Sequence, residues 1–176
     1  CTPAWWQLWK GQYEAGVDLV VTPYRGRPVE SPWWRVAPNP TYYEGESYEA
    51  LRTTLARLKG DRYLRREESQ PEDSGFDRLS RETIRRWVTP RWKRHLERLV
   101  EREKPDAIVV YTVPIAHLSG IPTALREKYG IPIVFYDGDV PMSLPEYGGM
   151  DTGFNPYHGA DPSEYDLVLS NSEGGL

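Results

Sequence analysis

Cysteine is almost missing from this chain: its 176 residues include one, Cys1. No internal disulfide framework can form, and a lone thiol fits a reducing compartment. Long apolar runs are missing too. Nothing approaches the roughly 18 apolar residues of a membrane span, and no charged segment leads into a short apolar one, so neither a span nor a signal peptide is expected. There is no basic excess: 22 Lys and Arg face 26 Asp and Glu, a formal charge of -4, which removes the global electrostatic case for nucleic acid. Neither G-x-G-x-x-G nor a P-loop is present, which argues against a dinucleotide or NTP site, and no His, Cys or acid spacing resembles a zinc site. No internal repeat or heptad run occurs. The bulk reading is a cytoplasmic domain of ordinary size, long enough for a real core.

Aromatic residues are plentiful and unevenly chosen. Seven Trp and twelve Tyr accompany three Phe, and Trp5, Trp6, Trp9, Trp33 and Trp34 all precede position 35. Trp and Tyr combine a large apolar surface with a polar handle, suited to interfaces and sugar rings. Core packing is the stronger expectation for any one of these Trp.

Strand patterns alternate with helical ones. Trp5 to Ala15 reads as a helix entered through Thr2-Pro3 and closed by Gly16. Val17 to Thr22 reads as a strand, Pro23 to Glu46 as a long loop, and Ser47 to Lys59 as a helix closed by Gly60. The charged stretch Asp61 to Gly75 reads as exposed. In Phe76 to Lys104, Ile84, Trp87, Val88, Trp92, Leu96, Leu99 and Val100 recur at helical steps, and Pro90 should kink or split the helix. Its basic residues, including His95, read as a solvated face. Further strands are expected at Asp106 to Thr112, Ile133 to Tyr136 and Tyr165 to Ser170, with a helix from about Ile121 to Lys128. Strands that are apolar throughout and separated by helices predict an α/β fold: a Rossmann-like, doubly wound parallel sheet in three layers, within one domain spanning residues 1–176. The chain opens on a helix and closes just after a strand. The expectation is therefore a fragment lacking its first strand, with more protein beyond Leu176.

The apolar run Ile133-Val-Phe-Tyr136 stops at Asp137-Gly138-Asp139. Ligands of open parallel sheets bind just beyond the carboxyl ends of strands, which makes Asp137 and Asp139 candidate chemical groups. A carboxylate there can take the proton of a hydroxyl nucleophile or hydrogen-bond a sugar. The plain alternative is that Asp137 caps a turn around Gly138. His117 follows the preceding strand, and Arg25 and Arg27 follow the strand at Val17 to Thr22. A guanidinium at such a rim can clamp a phosphate, or simply pair with nearby acids. Ser170, Asn171 and Glu173, in Ser-Asn-Ser-Glu-Gly-Gly, offer polar groups for a phosphate or sugar. Trp33-Trp34 and Tyr42-Tyr43 would form either a stacking platform or a satellite core over the long helix. Asp-Gly-Asp also matches the D-x-D motif of GT-A glycosyltransferases, whose carboxylates hold a divalent metal.

Taken together, "YDGDVP", the tyrosine-rich loop after it, "YDLVLSNSEGG" and the opening "WWQLWKGQYEAGVDLVVTPYRG" resemble the N-terminal domain of a GT-B glycosyltransferase. The nearest likeness is to the group of spore-maturation CgeB-like and family-1 or family-4 transferases. The resemblance spans most of the chain apart from Asp61 to Gly75. It implies an acceptor-side domain facing a second, C-terminal domain that binds a nucleotide-sugar donor, so this chain alone would be inactive. Many retaining members place a His where this chain has Asp137, whereas CgeB-like members resemble it in carrying an acid. Asp137 and Asp139 would be catalytic, with His117, Arg25, Arg27, Ser170, Asn171 and Glu173 around the substrates. No cofactor beyond the donor is implied. A non-catalytic Rossmann-like binding domain and a metal-dependent GT-A-type transferase are the alternatives.

Overall fold

Glycine and proline set the element boundaries. Helix α1 (Ala4–Glu14) ends where Gly16 adopts φ 89. There Gly16 N donates to the Tyr13 carbonyl at 2.9 Å and Val17 N to the Gln12 carbonyl at 3.0 Å, the paired closure of a left-handed helix end. The computed structural model describes residues 4–59, 82–138 and 161–170. These form a mixed α/β structure with small parallel sheets, grouped into two compact units, Cys1–Leu55 and Ala56–Leu176. Among the described residues, no helix is long and apolar enough to cross a membrane.

In the first unit, β1 (Val20–Val21) pairs in parallel with β2 (Arg35–Val36), a strand inside the segment read as loop. Both β2 residues are exposed, so no apolar alternation announced it. Arg35 N donates to the Leu19 carbonyl and Ala37 N to that of Val21, both at 2.9 Å, and Arg35 also pairs with Asp18 at 2.9 Å. Asn39 organises the return: its Nδ2 donates to the Tyr24 and Gly26 carbonyls at 3.1 and 3.2 Å, and its Oδ1 accepts from Thr41 N at 2.9 Å. This turn leads into α2 (Tyr42–Lys59), which begins five residues before the expected Ser47 and carries Glu44 in its first turn.

The tryptophans are this unit's core. Trp6 meets Trp34 edge-on at 4.8 Å and Trp33 at 5.6 Å, while Trp9 meets Trp34 at 5.4 Å. Trp34 is buried, and its Nε1 donates to the Val29 carbonyl at 2.9 Å, so both its surface and its polar handle are used. Trp33 and Trp34 thus pack on α1. Within this unit Trp6 and Trp9 of α1 are their ring partners.

In the second unit, a π-helical turn (Ile84–Val88) runs into α3 (Thr89–Glu103). Pro90 has no N–H, and its ring would crowd the Arg86 carbonyl in an α-turn. Widening the turn relieves that crowding, and Thr89 N then bonds to the Ile84 carbonyl five residues back. Trp87, expected on the apolar face, lies within this turn and is 59 % exposed. His95, expected in the solvated face, is instead buried and lies edge-on to Trp92 at 5.6 Å. It occupies the core row of α3 with Trp92 and Val100. Burial, then Arg98 and Arg102, hold its imidazole below the usual histidine range.

Three parallel strands follow in the order β3 (Ile108–Tyr111), β4 (Ile133–Asp137), β5 (Leu167–Ser170), with α4 (Ile121–Tyr129) between the first two. Gly120 and Gly130, at φ 78 and 67, bracket α4. Strand alternation gives the sheet two unlike faces. Val110, Ile133 and Phe135 are buried and form the core together with Ile121 and Leu125 of α4 and Trp92 and Val100 of α3. Val109 and Leu167, each beside Val134 in register, are about half exposed. β5 is locked to α4 by acids: Asp166 accepts from Ile133 N at 2.8 Å and pairs with Arg126 at 3.3 Å, while Glu164 accepts from Gly120 N at 2.7 Å. The expected strand at Val17 to Thr22 does not join this sheet among the described residues, since its β1 part pairs with β2.

Candidate functional site

The carboxyl ends of β3 and β4 repeat one arrangement: an apolar run, a tyrosine, then a polar residue. Tyr111 lies opposite Tyr136 in register, and their rings stack at 4.7 Å with an 8° tilt, matching the spacing of neighbouring strands. Both are half-buried, and burial followed by the Tyr136 neighbour pushes the Tyr111 phenol up, which keeps it protonated.

The chain leaves the sheet after Tyr111 in β3 and after Asp137 in β4. Thr112 N still donates to the Tyr136 carbonyl at 2.9 Å, but its φ is 48, a left-handed conformation unusual for a β-branched residue. Such strain persists only where surrounding contacts hold it, and it concentrates at functional sites. One contact is visible: Gly138 N donates to Thr112 Oγ1 at 3.2 Å. A Cβ on Gly138 would lie 3.0 Å from that oxygen and 3.1 Å from the Tyr111 hydroxyl, so only glycine fits without displacing them.

Asp137 is the last residue of β4, one longer than the expected strand, and lies opposite Ser170 at the end of β5. Alternation puts it in the row of Ile133 and Phe135, and it is 5 % exposed. A carboxylate so covered must be satisfied by polar partners, and in that setting each hydrogen bond it accepts is stronger than in water.

The other sequence candidates are scattered. His117 lies on a short 3-10 turn (Ile115–Leu118) and is buried; its carbonyl accepts from the Thr89 hydroxyl at 2.9 Å, tying this turn to the start of α3. Arg25 and Arg27 belong to the first unit and are exposed. Arg27 Nε donates to the Tyr42 hydroxyl at 3.0 Å with the guanidinium over that ring at 5.6 Å, and the hydrogen bond raises its pKa. Asp139, Asn171 and Glu173 lie outside the described residues, as does Asp61 to Gly75. The structure therefore brings together Asp137 and Ser170, and adds Tyr111, Thr112, Tyr136 and Gly138. A readable signal existed for these four: the parallel texts Ile-Val-Val-Tyr-Thr and Ile-Val-Phe-Tyr-Asp-Gly align in register.

Among the described residues no group of His, Cys, Asp and Glu is placed to hold a metal ion. The D-x-D reading turns on Asp139, which lies outside them. No protein-family model matches the chain, and no curated protein matches it significantly.

Proposed function

We propose that this chain is the acceptor-side, Rossmann-like domain of a cytoplasmic GT-B glycosyltransferase. In this reading the three-stranded sheet is part of a doubly wound, three-layer sheet, and a second domain supplies the nucleotide-sugar donor. The observation that carries it is a carboxylate, Asp137, at the carboxyl end of the middle strand of a parallel sheet. Asp137 accepts the proton of the acceptor hydroxyl as its oxygen bonds to the anomeric carbon. The bond from that carbon to the diphosphate breaks, and the nucleoside diphosphate leaves with the electron pair. Asp139 would support this carboxylate, and His117, Ser170, Asn171 and Glu173 would surround the substrates. The strained, glycine-dependent chain exits at Thr112 and Gly138 support placing the chemistry here.

A second reading, a non-catalytic binding domain, draws on the burial of Asp137, since a carboxylate 5 % exposed can serve to hold neighbouring backbone. Substituting Asp137→Asn in the full-length protein separates the two. With a panel of uridine- and guanosine-diphosphate sugars, the transferase reading expects transfer to fall by about 10²–10⁴-fold with circular dichroism unchanged. Undiminished transfer would end the assigned role. A metal-dependent GT-A-type reaction would instead be lost on adding a chelator.

A further inference from the structure

The first half of the long helix is basic. From Thr83 to Leu96 no acid interrupts Arg85, Arg86, Arg91, Lys93 and Arg94. Arg91, Arg94, Arg98 and Arg102 recur at three- and four-residue steps, which puts them in one row of α3. Two acids of this helix, Glu97 and Glu101, contact α4. Lys128 of α4 lies 3.7 Å from Glu97 and 3.5 Å from Glu101, and the Tyr129 hydroxyl donates to Glu101 at 2.7 Å. Glu103 pairs with Arg102 at 2.6 Å. Arg94 Nε donates to the Pro90 carbonyl at 3.3 Å and Arg98 Nε to the Arg94 carbonyl at 3.2 Å, so these side chains lie along the helix rather than crossing to the acids. Before this row, in the π-helical turn, stands exposed Trp87, flanked by exposed Arg85 and Arg86.

We propose that the arginine row of α3, with Arg85, Arg86 and Trp87, is a docking surface for an anionic lipid membrane. Guanidinium groups bind lipid phosphates in two-pronged fashion, and tryptophan favours the headgroup layer. A straight helix row meets a flat surface along its whole length. A single-stranded nucleic acid calls for successive stacking rings, and along this row among the described residues only Trp87 is an exposed ring. The apolar face of α3 is already buried in the unit, so binding is peripheral: charge supplies the attraction and Trp87 the only insertion. With the chain at -4 overall, attraction is confined to this face and orients the protein on the surface.

The test is co-sedimentation of the full chain with vesicles of equal phosphatidylglycerol and phosphatidylcholine, against pure phosphatidylcholine. Binding is expected only to the anionic vesicles and should weaken as salt rises. Removing each arginine should cost about fivefold in partition, so Arg85→Ala with Arg86→Ala loses about 25-fold, while Arg85→Lys with Arg86→Lys keeps most of it. Trp87→Ser should reduce partition further at fixed charge. Equal binding to neutral vesicles, or no loss in the alanine pair with circular dichroism unchanged, overturns the proposal. So does capture of a dT20 oligonucleotide through the same arginines with no vesicle binding.

Discussion

The two units of this chain reach stability by different means. The first has strands of two residues each, too short to hold a sheet alone, and its core is a set of tryptophans from α1 and the β1–β2 connection meeting edge to face. The second is built on three parallel strands whose buried row is aliphatic and Phe, closed by helices and by carboxylates that clamp β5 to α4. The lesson is where each unit places its polar residues. In the first unit Asn39 is consumed in shaping a loop. In the second, the sheet ladder carries the backbone, and Asp137 and Thr112 stand at strand ends.

Trp34→Ala would break the comparison hardest. It removes the ring at the centre of the cluster and its hydrogen bond to Val29, at a cost of about 3–5 kcal/mol. Hydrogen exchange should show protection lost across 4–59 and retained in β3 and β4; loss spread evenly over both units would refute separate cores. Gly138→Ala should cost the second unit about 1–2 kcal/mol, because the new methyl meets Thr112 Oγ1 and the Tyr111 hydroxyl at contact limits. Denaturant midpoints with an unchanged slope would measure it, and a neutral result would mean the Tyr111 ring moves freely.

The smallest effect is acidic. His95 has a folded pKa below its unfolded one, so the unfolded chain binds the extra proton. Its contribution is complete above the unfolded value of about 6.5 and is lost as pH falls through that value toward the folded one. Thermal midpoints from pH 7.5 to 5 should fall in the wild type and fall less in His95→Gln. Equal slopes would show that His95 does not titrate on unfolding.

Much of the second unit was legible. The runs 108–111, 133–137 and 167–170 are strands, Gly130 closes α4, and Pro90 does disrupt its helix. Each is a local effect, a matter of period, φ or a missing donor. Asp137 at a strand end was legible for the same reason. Its burial was not, nor the Tyr111–Tyr136 stack, because register between strands 25 residues apart is set by pairing rather than by either text alone.

By itself, then, the sequence determined where the strands of the second unit lie and which of them are apolar, because propensity and hydrophobic period act over a few residues. Tertiary structure alone decided that Arg35–Val36 is a strand, that the tryptophans pack on one another, that His95 is buried and that Trp87 is exposed. Each of these depends on how segments distant in sequence pack, which is not written in a local pattern.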